Sequence, residues 1–231
     1  MHRPLPKPAV RLLYLAWLNL PFARRLLDRL MQRAFDDLAP TWYEHTNWGG
    51  RLDPLFTALR ELDPTPARVV DLGCGSGDAT IELAKRFGSA WVVGVDISER
   101  MLALARIAAR DAGAAVQFVH EPIEGTSLAD GSVDLIVLVN APPPFHEIAR
   151  LLSPSGRAVV VHTQGSETWF YSSPTRLRRG FARAGMTEVC SGTAGKGEYF
   201  AAAPAALPAR SSLDAGARER AARAHVAEAR H

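Results

Sequence analysis

Between residues 51 and 203 the hydrophobic positions follow two alternating spacings. Short runs of consecutive apolar and mostly β-branched residues, such as Ile136–Val139, are typical of parallel strands that are covered on both faces. Stretches with apolar residues three and four apart separate these runs and predict helices. The predicted strands are Arg68–Leu72, Trp91–Asp96, Val116–His120, Leu135–Asn140, Ala158–Thr163, Glu188–Ser191 and Tyr199–Ala202. The predicted helices are Leu52–Leu62, Ala79–Phe87, Glu99–Ala112, Phe145–Leu152 and Pro174–Ala184.

This alternation predicts an α/β fold, a three-layer sandwich with helices on both faces of a mostly parallel seven-stranded sheet. The last two strands follow each other without a helix, so the last strand is expected to be antiparallel. Residues 1–50 are predicted to be an N-terminal helical lid or extension, and residues 51–203 the main domain. From Pro204 the composition changes to Ala, Arg, Glu and Ser, which predicts a flexible tail over residues 204–231.

Composition and charge exclude several classes of protein. Of the 231 residues, 47% are hydrophobic and 22% charged, which excludes a wholly disordered chain. The two cysteines form no C-x-x-C pair, which argues against a zinc module or a disulfide scaffold, and no cluster of ligand residues in the sequence suggests a metal site. The net charge of +3 is uneven, since residues 1–33 carry seven basic residues and one acid, whereas residues 34–204 carry 15 basic and 20 acidic residues. An acidic main domain argues against a nucleic-acid partner.

A glycine-rich turn after the first predicted strand is the most informative motif. The strand ends in Asp71, and Gly73, Gly75 and Gly77 then alternate with other residues before a helix begins. Glycines let the backbone turn sharply and approach a ligand closely. The next strand ends in Asp96, 19 residues beyond Gly77, where an acid can accept hydrogen bonds from ribose hydroxyls.

Two kinds of nucleotide ligand compete for this turn. A dinucleotide enzyme has the spacing G-x-G-x-x-G, with the pyrophosphate at a helix N-terminus. Here the spacing is G-x-G-x-G, and Asp78, where the third glycine belongs, would repel a pyrophosphate. A ligand with an adenosine end, no phosphate and a cationic amino group suits Asp71 and Asp78 better. S-adenosylmethionine is such a ligand, and a nicotinamide-dependent oxidoreductase remains the more distant alternative.

Several segments in the same order resemble the class I S-adenosylmethionine-dependent methyltransferases of the small-molecule type. Residues 69–80 resemble motif I of that family, and residues 92–98 resemble its acidic-loop motif. The resemblance continues through residues 133–138 and 146–157, and extends from about Trp42 to Ala203. It implies a Rossmann-like fold, S-adenosylmethionine as cofactor, and methyl transfer as the activity.

The resemblance also implies a role for individual residues. Asp71 would face the methionine amino group, directly or through water, while Gly73 and Gly75 line the methionine and ribose. Asp96 would hold the ribose diol, and Ile97 would pack on the adenine. The other residues expected to contact the cofactor are Cys74, Gly77, Met101, Glu121 at the adenine amino group, Pro122, Ile123, Asn140 beside the sulfonium, and Tyr43 from an N-terminal lid.

The catalytic candidates are Asn140 and His146, on either side of a proline-rich loop. Asn140-Ala-Pro-Pro-Pro-Phe145 is similar to the Asn-Pro-Pro-Phe motif of amino-group methyltransferases, but extra residues separate the Asn from its proline pair. A rigid proline loop is the favoured interpretation. His146 and His162 are candidate general bases, with an ordinary half-buried polar role as the alternative for each.

The acceptor is expected to be a small molecule, with an apolar or lipid-like compound among the candidates. Residues 11–33, rich in arginine, leucine and aromatics, favour either a lid over the cofactor or peripheral contact with an anionic membrane. Asn19 and Pro21 interrupt the apolar run, so a signal peptide is rejected and a cytoplasmic location is expected, at the inner membrane surface if the segment binds lipid. The alternative function is a non-catalytic protein that binds S-adenosylmethionine or S-adenosylhomocysteine and has a membrane-associating N-terminus.

Overall fold

The structure, a computed structural model, describes residues 11–16, 23–46 and 49–205. The proline-rich start, residues 17–22 of the basic segment and the tail from residue 206 lie outside the described residues. The helices are residues 11–16 (α1, its described part), Arg24–Leu38 (α2), Trp42–Thr46 (α3), Asp53–Leu62 (α4), Asp78–Arg86 (α5), Glu99–Asp111 (α6), Phe145–Leu151 (α7) and Pro174–Arg183 (α8). The strands are Arg68–Leu72 (β1), Trp91–Asp96 (β2), Gln117–His120 (β3), Val133–Val139 (β4), Leu152–His162 (β5), Met186–Ala194 (β6) and Gly197–Pro204 (β7).

Within the described residues, seven strands form one sheet in the order β3-β2-β1-β4-β5-β7-β6. Neighbouring strands from β3 to β5 pair in parallel, and β7 lies antiparallel between β5 and β6. The strand order reverses between β1 and β4, and open α/β sheets bind ligands at the carboxyl edge beside such a reversal. The predicted α/β fold, with its parallel sheet and antiparallel last strand, is confirmed.

Two apolar layers cover the sheet, because successive side chains of each buried strand point to opposite faces. On one face Val70 and Ile136 belong to the same buried cluster as Phe181 of α8. On the other face Val69 and Val137 cluster with residues of α4 and α5. Burial on both faces explains the continuous apolar runs in the sequence.

The sequence placed the start of β5 too late. The strand begins at Leu152, which pairs with Val133, and a register shift follows before Arg157 pairs with Leu135. The predicted start at Ala158 treated Pro154 and its neighbours as a turn. Because the chain continues through this irregular pairing, the residues expected in a turn belong to the strand.

Gly180 provides a test of the packing between α7 and α8. A Cβ at this position would lie 2.3 Å from the Phe145 ring, which packs edge-on against Phe181 at 5.0 Å. We expect Gly180→Ala to lower the free energy of unfolding by about 1–3 kcal/mol, because overpacking outweighs the helix propensity of alanine. Chemical denaturation measures the change. Gly88→Ala is the control, since its Cβ would meet no described atom within 4 Å; equal stabilities of the two variants would contradict this packing.

The N-terminal helix α2 packs beside the carboxyl edge of the sheet, where β2 leads into α6. Asp36, in the last turn of α2, accepts a hydrogen bond from the Ser98 hydroxyl at 2.6 Å, at the start of α6. Tyr14 of α1 is buried and shares a 2.6 Å hydrogen bond with the Ser172 hydroxyl. Of the helices that the structure describes, none is long and apolar enough to cross a membrane.

Candidate functional site

The glycine turn joins β1 to α5 at the carboxyl edge of the sheet. Gly73, Gly75 and Gly77 have φ values of 75°, 53° and 80°. The N–H groups of Gly73 and Cys74 both donate to the carbonyl oxygen of Val95, at 2.8 and 3.1 Å, which fixes the turn against β2. These left-handed conformations favour glycine and bring the backbone to the edge of a cavity.

Asp96 ends β2 beside the turn and is 9% exposed. Its Oδ2 accepts a hydrogen bond from the N–H of Gly75, and its Oδ1 accepts one from the N–H of Ser98, both at 2.8 Å. Burial raises the pKa of Asp96 above its usual value, against the opposing effect of these hydrogen bonds. A carboxylate oxygen has more than one lone pair, so both oxygens can also accept hydroxyl groups of a ligand.

Asp71 is the last residue but one of β1 and is 1% exposed. Its Oδ2 accepts a hydrogen bond from the Thr80 hydroxyl at 2.7 Å, whereas its Oδ1 has no hydrogen-bond partner among the described residues. Burial raises the pKa of this carboxyl to about 7. Since Asp71 lines the cavity, a cationic donor in the cavity would satisfy the free oxygen and favour the ionised form.

Asp78 is less available to a ligand than the sequence indicated. Its Oδ2 lies 2.5 Å from Nη2 of Arg51 and accepts the Ser76 hydroxyl at 3.0 Å. The same hydroxyl accepts a hydrogen bond from the Trp42 indole at 2.8 Å. Asp78 lines the cavity, but its ion pair with Arg51 offsets part of the negative charge that was expected to repel a pyrophosphate and attract a cationic group.

The cavity extends from the glycine turn to the N-terminal helices and holds about 910 Å³ of empty space, its mouth included. One part of its wall is formed by Asp71, Asp96 and the glycine turn. A second part comes from α2, α3 and the segment after β5, and Trp42 of α3 joins the two parts through its hydrogen bond to Ser76. The lining residues on that second side are Asp28, Met31, Phe35, Trp42 and Phe170.

Aromatic packing builds the second wall. The Phe35 and Phe170 rings lie 5.8 Å apart, and Phe35 also contacts Trp42 edge-on at 6.2 Å. Tyr14 packs edge-on against Phe170 at 5.3 Å. The aromatic wall is therefore assembled from segments far apart in the sequence.

Asn140 lies where β4 ends and lines the cavity with Ala141 and Pro142. Its φ of 55° is one that asparagine tolerates better than most residues. Its amide donates to the Thr163 hydroxyl at 2.8 Å, and its Oδ1 accepts from the Thr163 N–H at 2.9 Å. These bonds lock the ends of β4 and β5 together.

Most of the predicted cofactor residues lie together at the cavity, and some do not. Those that line it are Asp71, Gly73, Cys74, Gly75, Asp96, Ile97, Met101, Ile123 and Asn140. Gly77, Glu121, Pro122 and Tyr43 are not among the lining residues. A Cβ on Gly77 would lie within 3.0 Å of the side chains of Ala105 and Phe118, so this glycine permits close packing of the turn.

Two predicted positions, Glu121 and Pro122, are placed away from the cavity. Glu121 accepts a hydrogen bond from the N–H of Ser127 at 2.8 Å, which directs its carboxylate toward its own loop. Tyr43 is 42% exposed and hydrogen-bonds Ser76 of the glycine turn, while the adjacent Trp42 lines the cavity. Pro122 is exposed, while the next residue, Ile123, is buried at the cavity.

Neither histidine has the placement of a general base in this cavity. His146 is exposed on the first turn of α7 and does not line the cavity. His162 is buried, its Nε2 accepts the N–H of Ser172 at 3.2 Å, and burial lowers its pKa to about 4. The prediction that His146 or His162 removes a proton from the molecule to be methylated does not agree with these positions.

Much of the second wall was not predicted from the sequence. The aromatic density of residues 41–48 identified the right segment, although Tyr43 was chosen over Trp42. Met31 and Phe35 belong to the apolar spacing of α2, and this spacing could have predicted that both side chains face the interior. Phe170 and Glu124 line the cavity from loops, where no periodic pattern marks a side chain.

Comparisons with known proteins agree with this geometry. Residues 69–156 match the family model described as a methyltransferase domain. A demethylmenaquinone methyltransferase of Thermus thermophilus is 33% identical over 107 residues, which cover 43% of this chain and 49% of that protein. A malonyl-[acyl-carrier protein] O-methyltransferase of Methylococcus capsulatus is 35% identical over 112 residues, 46% of this chain and 40% of that protein. The chain thus spans about half or less of the length of these relatives.

A solved structure shows the same fold. The magnesium protoporphyrin IX methyltransferase of Synechocystis, crystallised with S-adenosylmethionine, superposes with a TM-score of 0.63 at 17% identity, over 77% of this chain and 97% of that one. Residues 69–156, which match the family model, contain the glycine turn, Asp71 and Asp96, and these line one cavity in this protein. Residues 69–156 of this chain therefore match a methyltransferase domain, and the chain has the fold of a methyltransferase crystallised with S-adenosylmethionine.

Proposed function

We propose that this protein transfers a methyl group from S-adenosylmethionine to a small apolar acceptor. One observation supports the proposal above all. A single cavity has two buried carboxylates beside a glycine turn on one side and an aromatic, apolar wall on the other. Such a cavity can hold a charged nucleoside and an apolar molecule in contact.

The cofactor side fits S-adenosylmethionine, because the buried Oδ1 of Asp71 has no partner in the described part of the chain. Asp71 would accept the cationic amino group, and Asp96 would accept the ribose hydroxyls. Gly73 and Gly75 would let the backbone approach the ligand, while Met101 would pack near the base. When bound, the cofactor supplies a methyl group on a positively charged sulfur.

The acceptor side favours an apolar molecule over an acid. Met31, Phe35 and Phe170 supply hydrophobic surface. Arg51 is the one cation among the described lining residues, and it is paired with Asp78. Among the relatives are methyltransferases named for menaquinone and ubiquinone biosynthesis and others named for trans-aconitate. With its cation already paired, this cavity suits a quinone-like acceptor better than a carboxylate.

The chain's contribution to the reaction is alignment and exclusion of water. The aromatic wall would hold the acceptor against the cofactor side, and a positioned pair reacts far faster than free reactants. Asn140 would shape the cavity where both ligands meet, with its amide held by Thr163. We further propose that the protein works in the cytoplasm at the inner membrane surface, where an apolar acceptor is concentrated.

A methyl-transfer assay tests this function. The protein is incubated with S-adenosylmethionine carrying a tritiated methyl group and a short-chain demethylmenaquinol, with trans-aconitate as the acidic comparison. We expect label in the quinol product and formation of S-adenosylhomocysteine. Binding of the cofactor without transfer to any acceptor in a cell extract would favour the non-catalytic alternative.

Phe170→Ala separates the two sides of the cavity. Loss of this ring removes part of the acceptor wall and leaves the glycine turn in place, so we expect the KM for the acceptor to rise about tenfold or more. The dissociation constant for S-adenosylhomocysteine should stay within about twofold. A change in cofactor affinity with an unchanged acceptor KM would contradict the assignment of the wall.

Cofactor affinity should depend on pH through Asp71. With a pKa of about 7 in the ligand-free protein, about a tenth of this carboxyl is ionised at pH 6 and most of it at pH 8. A cationic ligand binds the ionised form, so we expect the dissociation constant of S-adenosylhomocysteine to fall about tenfold between pH 6 and pH 8. Calorimetry at each pH measures it, and Asp71→Asn should remove most of the dependence.

The same carboxyl affects stability in the opposite direction. Its pKa is raised from the usual 3.8 of an aspartate side chain to about 7 in the folded protein, so between these values the folded state keeps a proton that the unfolded chain releases. The contribution of Asp71 is fully present below pH 4 and is lost as the pH rises through 7. Asp71→Asn should therefore flatten the pH dependence of unfolding in this window. An unchanged pH profile would contradict the raised pKa.

A further inference from the structure

The N-terminal helices carry an exposed apolar surface on the side away from the cavity. Leu12 of α1 is 68% exposed, and Leu26 and Leu30 of α2 are 59% and 38% exposed. Leu26 and Leu30 lie four residues apart on one side of α2, and neighbouring exposed leucines are unusual for a surface that faces only water. We define this outer face by Leu12, Leu26 and Leu30 together with the arginines described next.

Positive charge borders these leucines. On α2 the spacing of three and four residues places Arg29 and Arg33 on the same side as Leu26 and Leu30. Both arginines are exposed, as is Arg11 on α1. The acid at the end of this side of α2 is Asp37, so the basic part of the surface lies in the middle turns of the helix, from Arg29 to Arg33.

The opposite side of the same helix belongs to the cavity. Leu27 and Met31 are buried with Phe170 in the aromatic cluster, and Met31 lines the cavity. One helix thus contacts the interior with one stripe and presents leucines and arginines to the outside with another. This two-sided arrangement relates the outer face to the acceptor side of the cavity.

We propose that the outer face docks the protein on a bilayer containing anionic lipid. The arginines complement the negative headgroups, and the leucines enter the boundary between headgroups and acyl chains, as in interfacial amphipathic helices. Resting on the proposed function, the inference extends to the acceptor: an apolar acceptor dissolved in the bilayer would reach the cavity beside α2.

Vesicle flotation of the full-length protein tests the docking. The probes are phosphatidylcholine vesicles and vesicles with about 30% phosphatidylglycerol, each at low and high salt. We expect binding to the anionic vesicles, weaker binding at high salt, and little binding to phosphatidylcholine alone. Equal binding to both vesicle types, or none to either, would overturn the proposal.

Substitutions test whether the residues of the outer face contact the vesicles. Leu12→Ser, Leu26→Ser and Leu30→Ser combined should reduce partitioning onto anionic vesicles about tenfold or more, and Arg29→Gln with Arg33→Gln should reduce it several-fold. The matched control combines Ile107→Ser and Val189→Ser, which change apolar residues that are 53% and 47% exposed elsewhere. Equal binding by the triple leucine variant would overturn the proposal, as would a loss in the control of the same size.

Two further measurements separate the alternatives. The affinity for S-adenosylhomocysteine should be the same in the triple variant and the unmodified protein, which shows that the fold is intact. Sedimentation should give the same mass for both, because a dimer that the triple variant disrupts would assign the surface to a second copy instead. Vesicle binding without methyl transfer would refute the proposed function alone, and methyl transfer without vesicle binding would refute the docking alone.

Discussion

Asp96→Ala is expected to weaken the binding of S-adenosylhomocysteine about 100-fold. The carboxylate would accept both ribose hydroxyls, and loss of two charge-assisted hydrogen bonds costs about 3 kcal/mol. The change also leaves the N–H groups of Gly75 and Ser98 without the acceptor they have at 2.8 Å. The glycine turn therefore loses a fixed point as well as a ligand contact. Isothermal titration calorimetry measures the affinity, and thermal unfolding without ligand measures the loss of stability.

Two controls separate the ligand contact from the local fold. Asp96→Asn keeps an acceptor for one backbone N–H and removes the charge, so its affinity should lie between those of the unmodified protein and Asp96→Ala. Glu121→Gln changes an acid whose Oε2 contacts Ser127 away from the cavity, and its affinity should not change. A larger loss in Glu121→Gln than in Asp96→Ala would show that the sequence-based role of Glu121 is correct and the structural correction is not.

Gly73→Ala is expected to lower the free energy of unfolding by about 2–5 kcal/mol, a large part of the total for a domain of this kind. Two costs add here. A residue with a Cβ is strained at the φ of 75°, by about 1–2 kcal/mol, and the new Cβ would lie 2.6 Å from Cβ of Ala141, which adds about 1–3 kcal/mol of overpacking. Chemical denaturation gives the total. Because the turn must shift, cofactor affinity should fall with stability.

Gly113→Ala measures the effect of backbone strain at a positive φ without overpacking. Gly113 follows α6 with a φ of 62°, and a Cβ there would meet no described atom within 4 Å. The free energy of unfolding of Gly113→Ala should fall by about 1–2 kcal/mol, and its cofactor affinity should not change. If both variants lost the same free energy of unfolding, overpacking between the new Cβ of Gly73→Ala and Ala141 would be contradicted.

The sheet was predictable because its signal is local. Strands buried on both faces read as continuous apolar runs, and β1 and β2 were predicted with their observed bounds. The glycine turn and the two strand-end acids follow from the same runs, since parallel strands end at one edge. The predicted strand bounds differ from the observed ones where the pairing is irregular, as between β4 and β5. A register shift does not change the pattern of apolar residues, so the sequence could not indicate it.

The acceptor side was less predictable because long-range packing decides it. Trp42 and Tyr43 are neighbours in a short helix, where they point about 100° apart, and the sequence does not state which faces inward. His146 is exposed because the buried positions of α7 are Glu147, Ile148 and Leu151. The contact between Phe35 and Phe170 joins residues that are 135 positions apart in the sequence.

A titration of the purified protein with S-adenosylhomocysteine and, separately, with a nicotinamide dinucleotide tests the assignment of the cavity most directly. Calorimetry should show one site per chain for the nucleoside, with binding that weakens about 100-fold in Asp96→Ala, and no heat of binding for the dinucleotide. Binding of the dinucleotide with sensitivity to the same substitution, or nucleoside binding that Asp96→Ala leaves unchanged, would contradict the assignment.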